Sequence, residues 1–271
     1  MPGPDQNSKG GPRTKPDAIP PVALVTGAGG AIGRAITAAL RARGTQVIAT
    51  DLAPPARLPT GSAPGPMPRA LKLDVTSAAD VRRVFARVLK EYGRLDLLVN
   101  NAGAVSLAPF VELTERQWDE AFAVNTRGVF LCARAAARHM IARGSGGRIV
   151  NVSSIAARVG FRFQAHYCAA KAAVLGLTKA LALELAPHHI TVNAICPGAV
   201  DTPMLEQALR ESSVLAGLSA ADYRRMVLSS IPLGRLQTPE DVGSLVAFLA
   251  SPGASNMTGE AINLDGGIVR D

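Results

Sequence analysis

A tyrosine and a lysine stand four residues apart in YCAAKAAVLGLTKALALEL, residues 167–185, a segment that otherwise consists mostly of alanine and leucine. If this segment is a helix, Tyr167 and Lys171 are neighbours on one face, because residues i and i+4 lie side by side. Burying a lone ammonium group is costly, so a simple core helix should not retain one. A lysine that extends to solvent beside a tyrosine with a surface hydroxyl would explain the same residues. The pair alone does not distinguish a titratable site from a surface pair.

A glycine-rich segment, TGAGGAIG at residues 26–33, lies between an apolar run and a helical pattern. Glycines at a strand-to-helix turn let the backbone approach a ligand, and the helix start offers free N–H groups and positive potential to a diphosphate. The spacing departs from G-x-G-x-x-G, since position 32 is Ile32. A tight turn without a ligand is the alternative interpretation.

An acidic residue, Asp51, ends the next apolar run, 18 residues after Gly33. A carboxylate there accepts hydrogen bonds from ribose hydroxyls and repels a 2′-phosphate, which favours NAD over NADP. An aspartate that only starts a turn is the alternative, although the context favours the ribose interpretation. Arg34 and Arg57 are the nearest cations that would argue for NADP.

Seven short apolar runs predict the strands that position these residues. Their near-continuous apolar character is typical of strands covered on both faces, and they occupy residues 22–26, 46–50, 70–73, 95–100, 148–153, 190–196 and 261–264. Helical patterns alternate with them at 31–44, 77–93, 114–143, 167–185 and 238–251. This alternation predicts an α/β fold with a doubly wound, mostly parallel, Rossmann-like sheet and helices on both faces.

Three segments depart from this rhythm. Residues 1–20 are rich in proline, glycine and polar residues and lack the apolar stretch of a secretory signal, which predicts a disordered tail before one domain at 21–271. The proline-rich residues 53–69 predict an extended surface loop. Residues 203–232 interrupt the final crossover with helical signals of their own.

The composition argues against several classes of protein. The net charge of +8 comes from scattered arginines, without the basic runs and interleaved aromatic residues of a nucleic-acid surface. No apolar run is long enough to span a bilayer. Three cysteines without paired spacing indicate reduced thiols in a cytoplasmic protein. The four histidines form no zinc-binding pattern, so we expect no metal site.

Taken together, the motifs resemble the short-chain dehydrogenase/reductase family, in its compact single-domain branch, over about residues 20–269. TGAGGAIG is similar to the TGxxxGxG motif of that branch, with Ala31 in place of a glycine. Further motifs match in order and spacing: LDVT (73–76), LDLLVNNAG (95–103), VNTRGVF (124–130), NVSS (151–154), CPGAVDTPM (196–204) and MTGEAINLDGG (257–267).

The resemblance implies roles for four catalytic residues. Tyr167 would exchange a proton with the substrate oxygen, and Lys171 would hold the nicotinamide ribose. An unperturbed phenol has a pKa near ~10, so a neighbouring ammonium should lower the pKa of Tyr167 toward neutrality. Ser154 would hydrogen-bond the reacting oxygen, and Asn125 would position a water that links Lys171 to solvent.

The resemblance also implies the residues that bind cofactor and substrate. The substrate would contact Ser154, Gln164 and Tyr167 in a pocket formed by residues 104–110, residues 155–165 and a lid at about 203–232. Arg162 would either bind an anionic substrate group or lie exposed at the rim. The cofactor would contact Gly27, Gly30, Ala31, Ile32, Gly33, Asp51, Leu52, Asp74, Val75, Asn101, Ala102, Gly103, Tyr167, Lys171, Pro197, Gly198, Val200 and Thr202.

Three functional hypotheses follow. The first is an NAD-dependent dehydrogenase that acts on a secondary alcohol or ketone, and the second is a 3-oxoacyl-thioester reductase, against which Asp51 argues. The third is a non-catalytic dinucleotide-sensing protein, which would not need the catalytic four-residue set. Small residues in 132–142 and 168–186 would permit close helix packing, and the resemblance implies a homotetramer, with a monomer as the alternative.

Overall fold

The parallel sheet and its helices are seen in a computed structural model that describes residues 20–53 and 67–270. Seven strands within these residues form one sheet in the order β3-β2-β1-β4-β5-β6-β7, and every neighbouring pair is parallel. The strands are β1 (Val22–Thr26), β2 (Gln46–Asp51), β3 (Arg69–Lys72), β4 (Leu97–Asn100), β5 (Gly147–Val152), β6 (Ile190–Pro197) and β7 (Ala261–Leu264).

Helices cover both faces of this sheet. Those on the described residues are α1 (Ala31–Arg41), α2 (Ala78–Tyr92), α3 (Glu115–Phe122), α4 (Gly128–Arg143), α5 (Ala165–Leu185), α6 (Pro203–Ala216), α7 (Ala220–Ser229) and α8 (Pro239–Leu249). None of these helices combines the length and apolar character needed to cross a membrane.

Strand β1 shows why the apolar runs are continuous rather than alternating. Val22 and Leu24 belong to a core cluster with residues of α2 and α4, whereas Ala23 and Val25 belong to a second cluster with residues of α1 and α8. Successive strand residues face opposite sides of a sheet, and here each side is covered by helices.

The direction of strand order reverses between β1 and β4. In open α/β sheets, ligands bind at such a reversal, outside the carboxyl ends of the strands. The glycine-rich segment follows β1 and the NAG segment follows β4, so both predicted cofactor motifs lie at this point.

Helices α1 and α8 pack closely beside the glycine-rich turn. A Cβ on Gly243 of α8 would lie only 2.8 Å from the carbonyl oxygen of Ala35, so glycine is required there. Arg43, just after α1, donates a hydrogen bond of 2.7 Å to the carbonyl of Ala247. The first and last of the helices named above therefore support one another.

The structure confirms the predicted fold class, and all seven predicted strands are present with shifts of one or two residues at their ends. The segment 114–143, predicted as one helical unit, is instead two helices joined by the π turn Ala123–Arg127. The predicted lid contains α6 and α7. The predicted tail at 1–20 and loop at 53–69 lie mostly outside the described residues and stay predictions.

Candidate active site

The tyrosine and the lysine lie on the first turns of α5, beside the carboxyl end of β5. The Lys171 ammonium donates a hydrogen bond of 3.0 Å to the carbonyl of Val152, the last residue of that strand. Its Nζ lies 5.7 Å from the centre of the Tyr167 ring. Lys171 is 4% exposed, so it is not a lysine that extends to solvent. The surface-pair alternative is therefore wrong.

Ser154 completes this group from the turn after β5. It hydrogen-bonds the Tyr167 hydroxyl, and this contact acts to lower the pKa of the phenol. The Ser154 hydroxyl also accepts a bond of 3.1 Å from the N–H of Ala156, which fixes its rotamer. Ser154 and Tyr167 are therefore presented together to the same opening.

Burial dominates the titration of both groups on α5. It raises the pKa of Tyr167 to about 12, against the smaller effect of Ser154. It lowers the pKa of Lys171 to about 8. The prediction that Lys171 brings the phenol pKa toward neutrality is wrong for this geometry, because removal of the phenolate from water outweighs an ammonium that is bonded to Val152.

Asn125 is fully buried in the π turn between α3 and α4. Its side-chain amide donates to the carbonyls of Ala121 at 2.9 Å and Ala104 at 2.8 Å, and its oxygen accepts from the N–H of Ala104 at 3.2 Å. Inserted π turns are frequent at functional sites because they interrupt the regular backbone bonding of a helix. A Cβ on Gly103 would lie 3.1 Å from Asn125 Oδ1 and 3.4 Å from Lys171 Nζ, so these two polar groups converge there.

At two positions the backbone of the glycine-rich turn packs too closely against its neighbours to accommodate a side chain. A Cβ on Gly33 would lie 2.2 Å from the carbonyl oxygen of Gly27. A Cβ on Gly27, which has a φ of 63°, would lie 2.8 Å from Cα of Ala102. Asn101 clamps this approach by donating to the carbonyls of Thr26 and Gly27 at 2.9 and 3.0 Å.

The start of α1 fits the diphosphate of a dinucleotide. Gly30 is its N-cap and supplies no side-chain cap, whereas α2, α3, α6, α7 and α8 are each capped by serine or threonine. Helix α1 then continues through Ala31, Ile32 and Gly33. Free N–H groups and the helix dipole favour an anion at such a terminus.

Asp51 lies against this turn at the end of β2. Its carboxylate accepts bonds from the N–H groups of Gly29 at 2.8 Å and Leu52 at 2.7 Å. A Cβ at position 29 would lie 2.9 Å from Asp51 Oδ2, so glycine permits this approach. Arg34 donates to the carbonyl of Gly29 from the other side, so a cation also flanks the turn. Arg57 lies outside the described residues.

The remaining predicted cofactor residues lie at the same edge of the sheet. Asp74 accepts from the N–H and hydroxyl of Thr76, which orients its carboxylate, and Val75 packs on Gly128. Pro197 ends β6, and Gly198 follows where a Cβ would meet Gln237 at 2.8 Å. The segment continues through Val200, which bridges to Gln237, and Thr202, which caps α6. The structure thus places the predicted cofactor residues at the carboxyl ends of neighbouring strands.

The substrate side contains contacts that the sequence did not reveal. The Ser106 hydroxyl and His166 Nε2 are 2.8 Å apart, and the N–H of Ala108 donates a bond of 3.0 Å to the carbonyl of Phe163. Phe163 has a φ of 67°, which is rare for a bulky residue. Gln164, predicted to contact substrate, is the N-cap residue of α5. Arg162 is exposed and lies over the Phe163 ring at 4.9 Å, which favours the rim position.

His166 directly precedes Tyr167 in the sequence, which makes it the next candidate for the catalytic base. Its ring is 0% exposed and faces Ser106. This burial argues against His166 as the catalytic base.

The glycine turn and the titratable pair at this edge of the sheet are an arrangement that suits a nicotinamide-dependent oxidoreductase. Residues 27–269 match the sequence model of a family described as "Enoyl-(Acyl carrier protein) reductase". The chain therefore belongs to the short-chain dehydrogenase/reductase family, whose members transfer hydride between NAD(P) and alcohol or carbonyl substrates.

Characterised relatives and a solved structure support this assignment. The chain is 38% identical over 246 residues to galactitol 2-dehydrogenase of Agrobacterium fabrum, covering 91% of this chain and 96% of the relative. It is also 38% identical over 251 residues to the 3-oxoacyl-[acyl-carrier-protein] reductase FabG of Thermotoga maritima, covering 92% and 97%. A short-chain type dehydrogenase/reductase from Mycobacterium marinum superposes with a TM-score of 0.83 at 34% identity, covering 93% and 96%.

Proposed function

We propose that this protein is an NAD(H)-dependent dehydrogenase of secondary alcohols and ketones, with one catalytic domain at residues 21–271. The observation that carries the proposal is the convergence of Ser154, Tyr167, Lys171 and Asn125 beside the glycine turn. Ser154 bonds the Tyr167 hydroxyl, and Asn125 Oδ1 and Lys171 Nζ both approach Gly103. A protein that only sensed a dinucleotide would not need this set.

Bound NAD(H) would supply the hydride acceptor or donor, held by the glycine turn and by Lys171. Ser154 would orient the substrate oxygen by a hydrogen bond, and Tyr167 would exchange the proton with that oxygen. Asn125 holds Ala104 at the wall of the pocket and would position a water next to Lys171. Substrate contacts would come from Ser154, Gln164 and Tyr167.

The protonation state of Tyr167 favours ketone reduction over alcohol oxidation at neutral pH. A phenol with its pKa raised to about 12 is protonated at pH 7, so Tyr167 is ready to donate a proton to a ketone. Alcohol oxidation needs the phenolate, which becomes more populated as pH rises. We expect ketone reduction to be faster near pH 7 and the oxidation rate to increase with pH.

The preference for NAD rests on Asp51. Its carboxylate lies where the adenosine ribose should bind, and a 2′-phosphate would meet this negative charge. Arg34 in the first turn of α1 opposes this effect, although it is bonded to the carbonyl of Gly29. Fluorescence titration with NADH and NADPH tests the preference, and tighter binding of NADPH would overturn it.

For the substrate, we propose a polyol, on the basis of the galactitol 2-dehydrogenase relative. The equally similar FabG relative supports a 3-oxoacyl thioester as the second candidate. The test is a turnover screen of polyols, cyclic alcohols, hydroxysteroids and β-hydroxyacyl thioesters with both cofactors. Turnover only of thioesters with NADPH would support the second candidate, and binding of NADH without any turnover would support the dinucleotide-sensing hypothesis.

We also propose a cytoplasmic homotetramer that packs through α4 and α5. Between these helices lies a groove of about 260 Å³, lined by apolar residues together with Arg134, Arg138 and Glu184. Phe130 and Leu183 are 42% and 81% exposed on the same two helices. A second copy could cover these side chains and pair the opposite charges. Light scattering at micromolar concentration tests the assembly, and a monomer would contradict it.

A further inference from the structure

The segment after the NAG motif, residues 104–108, is tied down at every second residue. Ala104 exchanges two hydrogen bonds with Asn125. The Ser106 hydroxyl bonds His166, and the N–H of Ala108 bonds the carbonyl of Phe163. His166 precedes Tyr167, and Phe163 lies in the segment that joins Ser154 to Tyr167. All three ties thus connect one wall of the pocket to the catalytic residues.

A histidine at position 166 should make the protein less stable than an apolar residue would if its only role were to fill space. Its ring is 0% exposed, and Nδ1 has no hydrogen-bond partner among the described residues. A buried polar atom without a partner typically destabilises a protein by about 1–3 kcal/mol, a penalty that an apolar side chain would avoid. Burial also lowers the pKa of His166, which keeps the ring neutral. What the imidazole adds at this position is its bond to Ser106.

Phe163 carries a second cost at the same place. Its φ of 67° lies in the left-handed region, which is disfavoured for a bulky residue. Such backbone conformations persist only when surrounding contacts impose them, and they concentrate at functional sites. Here the turn presents the Phe163 carbonyl to the N–H of Ala108 at 3.0 Å. The unpaired Nδ1 of His166 and the left-handed φ of Phe163 are therefore two unfavourable features, and both residues hold the same segment, residues 104–108.

We propose that Ser106 and His166 are positioning residues for the reaction. Together with the Phe163 carbonyl, they hold residues 104–108 against the start of α5 and fix this wall of the substrate pocket relative to the Tyr167 hydroxyl. Neither side chain exchanges a proton or contacts the reacting atoms. The inference rests on the proposed dehydrogenase function, because the wall matters only if a substrate is oriented against it.

Two amide variants of His166 separate the ring nitrogens. His166→Gln places an amide nitrogen within reach of the position of Nε2, whereas His166→Asn reproduces that of Nδ1. We expect His166→Asn and Ser106→Ala each to lower kcat/KM by about 10–100-fold, since small misplacements of a substrate have effects of this size. His166→Gln should retain most of the wild-type kcat/KM. The double variant Ser106→Ala/His166→Asn should be no worse than either single variant, and the Kd for NADH should be unchanged in all of them.

Hydrogen–deuterium exchange provides a readout that needs no substrate. In the NADH-bound protein, amides of residues 104–108 should exchange faster in Ser106→Ala and His166→Asn than in the wild type or His166→Gln. If the wild type turns over nothing in the screen, the proposed function fails, and exchange still decides whether the wall is held in this way. Ser106→Ala alone carries the test if the His166 variants do not fold.

Either of two results would overturn the proposal. Equal kcat/KM for the Gln and Asn variants would show that the position of the nitrogen is irrelevant. A lower melting temperature with unchanged kcat/KM and unchanged exchange would assign the pair a role in stability alone.

Discussion

The two sides of the candidate active site are built by different means. On the cofactor side, the backbone itself sets the shape, since a Cβ on Gly33 would lie 2.2 Å from the Gly27 oxygen. On the substrate side, loops are held by individual bonds such as Ser106 to His166 at 2.8 Å. A steric requirement admits one residue type, whereas a bond between loops can be made by many pairs. The cofactor side therefore restricts the residue type at Gly27 and Gly33, whereas the contacts of the substrate side impose no such restriction.

The largest expected effect lies where the two sides meet, at Tyr167. Tyr167→Phe removes only the hydroxyl, so packing and cofactor binding should be retained. General acid–base assistance contributes about 10²–10⁴-fold to a rate, and kcat should fall by that factor. Steady-state kinetics with the best substrate of the screen, and NADH titration as the control, provide the measurement. A variant that keeps most of its activity would show that another group moves the proton.

On the cofactor side, Gly33→Ala tests the steric requirement directly. The added methyl group cannot be accommodated without backbone movement, so we expect a loss of about 3 kcal/mol in the free energy of unfolding, together with weakened NADH binding. Gly30→Ala in the same turn is the matched control, because its Cβ would meet the Gly27 oxygen at 3.5 Å, an ordinary contact. Urea unfolding of both variants gives the comparison. Equal losses would show that the turn adapts as readily as a loop.

The titration of Lys171 makes the stability of the folded protein depend on pH. Its pKa is lowered from 10.5 to about 8 by burial, so the folded protein releases this proton before the unfolded chain does. Below pH 8 the buried ammonium lowers stability by at most about 3 kcal/mol. Between pH 8 and 10.5 the unfolded chain binds more protons, so this penalty disappears as pH rises.

Lys171→Met removes that titration. Whatever the variant loses in its bond to Val152, its free energy of unfolding relative to the wild type should be highest near pH 7 and should decline toward pH 10. Urea unfolding at several pH values measures this trend. The scan stops at pH 10 because above it the unfolded tyrosine, with its pKa of ~10, is mostly ionised, whereas burial raises the pKa of Tyr167 in the folded protein to about 12. A difference that is constant with pH would contradict the lowered pKa of Lys171.

Asp51 and Arg34 offer a smaller and more selective test of the cofactor side. Asp51→Ser removes the charge that opposes a 2′-phosphate, and the NADPH/NADH affinity ratio should rise by about tenfold, equivalent to ~1.4 kcal/mol. Arg34→Met removes the cation on the same turn and should lower that ratio. Fluorescence titrations of the two variants give opposite shifts if the turn discriminates by charge. Shifts of the same sign would mean that discrimination lies elsewhere.

The smallest effect is expected at the predicted lid. Glu206 of α6 pairs with Arg224 of α7, and their side chains are 39% and 40% exposed. Ion pairs with this exposure contribute about 0–1 kcal/mol. Arg224→Met should therefore change the free energy of unfolding by less than about 1 kcal/mol. Thermal unfolding and kcat/KM together measure the effect. A large loss of kcat/KM would show that the lid is set as rigidly as the glycine turn.

The sequence predicted the fold well because the fold depends on local patterns. Apolar runs located all seven strands, and the cap signals of Ser77 and Thr114 marked the helix starts seen in the structure. The i and i+4 spacing placed Tyr167 and Lys171 side by side. Each of these features is determined by residues that are near one another in the chain.

Features that depend on distant residues were missed. Ser106 and His166 are 60 positions apart, and the partner of either depends on the path of an irregular segment. The π turn around Asn125 was missed because the helical pattern runs through it. The pKa of Tyr167 was predicted in the wrong direction because the degree of burial is a tertiary property.

The packing of α1 against α8 has a consequence for the order of events during synthesis. Helix α1 positions the glycine turn, yet its partner residue Ala247 is 204 positions beyond Arg43. At roughly 5–20 residues per second, a ribosome needs about 10–40 s to add that length of chain. During this interval α1 can pack on β1 and β2, but the part of its surface that contacts α8 lacks its cover. We therefore expect a nascent chain to acquire dinucleotide affinity only after α8 has left the ribosomal tunnel.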